Sequence, residues 1–90
     1  MRARGCDTMV ALPPATRHGQ TLFAKNSDRA ATECQPLVLR DRQAHPVGAS
    51  LKLACVEIPE ARIAHRHIGS RPWWCLGYEH GFNEHQVVIG

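Results

Sequence analysis

No segment of this 90-residue chain has a sustained apolar stripe at i, i+3, i+4 and i+7. A helix needs that stripe to bury one face, so amphipathic helices are absent from the expected elements. Short apolar runs punctuated by Pro and Gly remain, and these read as strands and turns. Thr8 to Leu12 is an expected strand, and Pro13-Pro14 to Gly19 a turn. Thr21 to Lys25 is the returning strand, so residues 6–25 are expected to form a β-hairpin with a long loop. Asn26 to Glu33 is polar and reads as loop. Further strands are expected over Pro36–Arg40, Leu51–Ile58, Arg62–Ile68 and Gln86–Ile89. One helical turn is expected after Pro72, and Gly81 to His85 reads as a turn.

Composition narrows the function classes. Eleven Lys and Arg against eight Asp and Glu give +3, spread from Arg2 to Arg71 without a patch. Nucleic-acid surfaces combine a basic stripe with interleaved aromatics. Only five aromatic residues are present, so nucleic acid is not an expected partner. No apolar run approaches the ~20 residues of a membrane helix, so no membrane partner is expected. The four cysteines, Cys6, Cys34, Cys55 and Cys75, lie 28, 21 and 20 residues apart, with no Cys-x-x-Cys pair. The basic start Met1 to Gly5 is not followed by the apolar segment of an export signal. Reduced thiols and a cytoplasmic location follow as expectations.

Six strands with no helix to cover them leave apolar faces open, and the chain stops inside an apolar run at Gly90. The 90 residues are therefore expected to be the front part of a larger domain.

Three local motifs then fall in order. Cys6-Asp7-Thr8 opens a strand five residues from the initiator. Phe23-Ala24-Lys25-Asn26-Ser27-Asp28-Arg29 closes the return strand. Gly69-Ser70-Arg71-Pro72-Trp73-Trp74, Gly77-Tyr78-Glu79 and Gly81-Phe82-Asn83-Glu84-His85 lead into Val87-Val88-Ile89-Gly90. Together they resemble the amino-terminal part of the secernin/dipeptidase family of cysteine N-terminal nucleophile hydrolases. The family more usually has a small or aliphatic residue where Phe82 stands and Gly where Gln86 stands, and Cys75-Leu76 replace its aliphatic-Trp pair.

The resemblance implies an α+β fold, of which this chain would be the N-terminal, mostly β part of an αββα four-layer N-terminal nucleophile hydrolase. Met1 to Gly5 would be a short propeptide, and residues 6–90 the first part of a single domain. Cleavage of Gly5–Cys6 would free an α-amine on Cys6, the implied catalytic nucleophile. A free thiol and an α-amine have ordinary pKa values near ~8.5 and ~7.7–8.0. Both lie close enough to neutrality for the amine to serve as base to its own thiol. The thiolate would attack an amide carbonyl and form a thioester that water hydrolyses. Asp28, Lys25 and Asn26 are the implied supporting residues that orient amine and thiolate. Read without the family, Lys25 to Arg29 is a polar turn whose Asn and Asp bond the local backbone. Asn83 and Glu84 are implied to build a turn near the active site, with an oxyanion donor beyond Gly90. Trp73 and Trp74 are expected in the core.

The implied reaction is cysteine-type exopeptidase or dipeptidase chemistry on a small peptide or amide, with no metal or organic cofactor. The 90 residues alone are expected to be inactive. A second class stands beside it: a small β-rich metal-binding module, from His65, His67, His80 and His85, or a non-catalytic interaction module.

Overall fold

A computed structural model describes residues 5–90, so the expected propeptide, Gly5 apart, lies outside the described residues. Among the described residues ten strands form in chain order. They are β1 (Cys6–Ala11), β2 (Leu22–Ser27), β3 (Leu37–Arg40), β4 (Gln43–Ala44), β5 (Ser50–Lys52), β6 (Glu57–Pro59), β7 (Ile63–Ala64), β8 (His67–Ser70), β9 (His80–Asn83) and β10 (Val88–Ile89). The helical content among the described residues is one 3-10 turn, Arg17–Gly19. All pairings are antiparallel, in four small sheets: β1-β2, β10-β9-β8-β3, β4-β7 and β5-β6. The expected α+β, four-layer architecture is thus corrected to a nearly all-β chain. The physical reason is in the residues: a helical layer needs an apolar stripe, and none exists. The layering came from the family resemblance alone.

The chain divides into two units. One covers residues through Glu33 together with Gly90, and the other is Cys34–Ile89.

The first unit is the β1-β2 hairpin, with Cys6 opposite Ser27 and Ala11 opposite Leu22. Its loop turns where His18 and Gly19 take consecutive left-handed conformations, at φ 64° and 67°. Glycine adopts that region without a Cβ penalty. Ala15 N–H also closes on Leu12 C=O at 2.9 Å. Strand β2 runs two residues past the expected end at Lys25, and Asn26 and Ser27 are ladder rather than loop.

The second unit centres on β8, paired on both edges. Leu39, Ile68, Phe82 and Val88 stand opposite one another across its four strands, making one apolar row. On β8 and β9, Gly69 faces Gly81. A Cβ on Gly81 would meet Ile68 C=O at 2.5 Å and Gly69 Cα at 2.9 Å. A Cβ on Gly69 would meet the Tyr78 ring at 2.6 Å. The missing Cβ at Gly69 lets the Tyr78 ring lie against β8. Its hydroxyl is 3.0 Å from His67 Nε2. Ser70, 4% exposed, donates to Gln35 Oε1 at 3.0 Å.

Two expected strands are each broken in two. Leu51 to Ile58 folds back on itself as β5 and β6, with Leu53 N–H donating to Val56 C=O at 2.8 Å. Arg62 to Ile68 divides into β7 and β8, which pair with different strands. The expected turn at Gly81–His85 begins instead inside β9. After Pro72 there is a single turn, Cys75 N–H to Pro72 C=O at 3.0 Å. Trp73 and Trp74 sit at its tip, 75% and 55% exposed, and are not the core residues expected from their size.

Among the described residues Pro72 is fully buried, and no larger aliphatic or aromatic side chain is. The accessible surface is 7492 Å². A folded monomer of about 10 kDa exposes about 5,200 Å² by the usual size scaling. Large apolar side chains contribute to that surface, with Leu37, Val47 and Ile89 70%, 83% and 71% exposed.

Candidate active site

The hairpin end that carries Cys6 is defined by its hydrogen bonding. Asp28 N–H donates to Gly5 C=O at 3.2 Å, continuing the ladder one step past Cys6 and Ser27. Antiparallel pairs alternate between hydrogen-bonded and non-hydrogen-bonded types, and side chains approach more closely in the second. Gly5–Asp28 is of the first type, so Cys6–Ser27, Thr8–Lys25 and Val10–Phe23 are of the second. Successive side chains alternate faces. Cys6, Thr8, Lys25 and Ser27 therefore share one face, with Lys25 diagonal to Cys6. On β2 this face is the half-buried one, through Phe23, Lys25 and Ser27.

The structure thus brings Lys25 to the Cys6 face. It sets Asn26 opposite Asp7 on the other face. Asp28 follows the last residue of β2, and its backbone holds the Gly5 carbonyl. Beyond it, Arg29 and Glu33 form a two-point ion pair, Nε to Oε2 at 2.6 Å and Nη2 to Oε1 at 2.9 Å. Cys6 itself is exposed, and none of the four cysteines is joined in a disulfide.

Ser27 is the residue that sequence reasoning missed. Its Oγ is buried with no hydrogen-bond partner among the described residues, directly across the ladder from Cys6. A buried hydroxyl left unpaired is costly, of order 1–3 kcal/mol. The signal was the hairpin register, which pairs 6 with 27 once the strand is carried past Lys25.

Asn83 and Glu84 belong to the second unit. Asn83 ends β9, and its Oδ1 accepts from His85 N–H at 3.0 Å and Val87 N–H at 3.1 Å. It therefore builds the tight turn into β10. Gln86 in that turn has φ 61°, the region glycine favours, at the position where the resembled family has Gly. Glu84 Oε1 accepts from Arg66 N–H at 3.1 Å and lies 3.9 Å from Arg42 Nη1. These contacts, the Arg66 N–H first, hold the Glu84 carboxyl below the ordinary carboxylate range.

The four histidines named above are not gathered. His67 bonds Tyr78 and the His65 carbonyl, and His80 Nδ1 is buried without a partner. His65 and His85 do meet, Nδ1 to Nε2 at 3.3 Å, with ring centroids 4.4 Å apart. A separate concavity is lined within the second unit by Ile68, Tyr78, Gly81, Phe82, Val87 and Ile89 among others.

No helix among the described residues is long and apolar enough to cross a membrane. No family model matches the chain, and no solved structure matches it.

Proposed function

We propose that the chain carries the nucleophile of a cysteine-type amidohydrolase, an exopeptidase or dipeptidase of the secernin kind, and that Cys6 is that nucleophile once Gly5–Cys6 is cleaved. The observation that carries this reading is the Asp28 N–H bond to the Gly5 carbonyl at 3.2 Å. Gly5 C=O is the carbonyl that the Cys6 thiol must attack to release itself. When Cys6 Sγ adds to that carbon, negative charge develops on the Gly5 oxygen. A backbone donor already aimed at it stabilises the charge as an oxyanion hole does. The C–S bond forms, the Gly5–Cys6 C–N bond breaks, and the thiol proton ends on the departing nitrogen. Water then hydrolyses the thioester, leaving a free α-amine on Cys6 and a carboxylate on Gly5.

The same geometry supports the second stage. Asp28 follows the strand residue that pairs with Cys6, and Lys25 stands diagonally on the thiol's face. The amine takes the thiol proton, the thiolate attacks a substrate amide, and the acyl-thioester is hydrolysed. Gly5 suits the first step because it adds no side chain where sulfur approaches the carbonyl.

The test is turnover by the protein as expressed from its own gene. Dipeptides are hydrolysed, Cys6→Ala abolishes turnover, and rapid acid quench captures an acyl group on the peptide beginning with Cys6. Full activity in Cys6→Ala overturns the reading.

A further inference from the structure

We propose that His65, Glu84 and His85 form a binding site for a divalent transition metal, with zinc the ion best matched by the donor set. Two imidazoles and one carboxylate are a common zinc ligand set, with the fourth tetrahedral position open to water. The three donor atoms all lie within 4.8 Å of one another. His65 Nδ1 is 3.3 Å from His85 Nε2 and 3.4 Å from Glu84 Oε1. A tetrahedral zinc with bonds of about 2.0–2.1 Å separates neighbouring donors by about 3.3–3.4 Å. These two separations match the edges of such a tetrahedron, and the third donor pair lies within 4.8 Å.

The backbone accounts for this placement. Arg66 and Glu84 extend the β8-β9 ladder by one step, with Glu84 N–H donating to Arg66 C=O at 2.8 Å. That step brings His65, just before it on one strand, beside His85, just after it on the other. Asn83 Oδ1 then fixes the His85 backbone. Glu84 Oε1 spends one lone pair on the Arg66 N–H, which leaves another for the ion. Such an outer hydrogen bond orients a metal-bound carboxylate. The Arg66 side chain points elsewhere, to Asp41 at 2.8 Å. The opposing charge is Arg42, 3.9 Å from Glu84, and its half-exposed side chain is free to turn into solvent. A bound ion ties the link between β7 and β8 to the β9-β10 turn. It differs from the four-histidine set read from sequence: His67 and His80 take no part, and Glu84 does.

The experiment is zinc titration of the tag-free, reduced 90-residue chain by calorimetry, followed by cobalt(II) absorption. One equivalent binds, and His65→Ala and His85→Ala each weaken binding by more than about 100-fold. That loss exceeds the 10–100-fold typical of losing an outer partner. His18→Ala, in the hairpin loop, binds as wild type. The cobalt spectrum shows a tetrahedral ligand field without sulfur charge transfer. Absence of stoichiometric binding overturns the site. So does wild-type affinity in both histidine variants, or a sulfur-to-cobalt band, which would put the ion on cysteine. The cobalt spectrum needs no variant to fold.

Discussion

Replacing Asp28 by proline removes one N–H and with it the donor to the Gly5 carbonyl. The residue before the new proline suits it. Proline demands an extended residue before it, and Ser27 is the last residue of β2. Losing one oxyanion donor costs about 2.7–4 kcal/mol, or 10²- to 10³-fold in rate. The Asp28–Gly5 bond is 3.2 Å, longer than the common 2.9–3.0 Å, so the lower end applies and the expected slowing is about 100-fold. The assay is a time course of Gly5–Cys6 cleavage by intact mass after synthesis in a cell-free system. Asp28→Asn is the control, since it keeps the N–H and changes only the carboxylate. It is expected to cleave within a few-fold of wild type yet to turn over dipeptides poorly. Far-ultraviolet circular dichroism checks that the hairpin survives in both variants. Cleavage of Asp28→Pro at the wild-type rate refutes the oxyanion reasoning. Equal slowing in Asp28→Asn refutes it too, because the effect then belongs to the side chain.

Three further outcomes follow from the second unit. Gly81→Ala is expected to destabilise by about 1–3 kcal/mol in urea unfolding, because the atoms its Cβ meets are backbone and cannot swing aside. Gly69→Ala is expected to cost less in a Tyr78→Ala background than alone, since the clash is with the Tyr78 ring; equal costs in the two backgrounds refute that contact. Glu84, ordinarily near 4.5, is lowered in the folded metal-free chain, so its contribution is present above that value and is lost as pH falls through the folded one. Glu84→Gln should therefore flatten the acid limb of stability below about pH 4.5, by thermal melts at stepped pH.

What could be read from sequence was local. The first hairpin was legible because β-branched and apolar residues flank a Pro-Pro and a Gly, and each limits the backbone in a known way. The end of β2 was not, since Asn26-Ser27 favours loops by propensity and is held in the ladder only by pairing with Cys6 and Asp7. Leu51 to Ile58 alternates as one strand would, and no Gly or Pro marks the turn at Ala54-Cys55 that divides it. Gly81 reads as a chain breaker, yet it sits inside β9 because another backbone comes within 3 Å of its missing Cβ. The metal ligands were half legible. His65 and His85 stood out, but only the β8-β9 register puts Glu84 with them. The helical layers came from resemblance, and the absence of an amphipathic stripe argued against finding them here.

The claim that Cys6 is the nucleophile is tested most directly by the N-terminal peptide of the protein isolated from the cells that make it, identified by mass spectrometry. The account predicts a chain that begins at Cys6 with an unblocked α-amine. An intact Gly5–Cys6 bond throughout the population would contradict it.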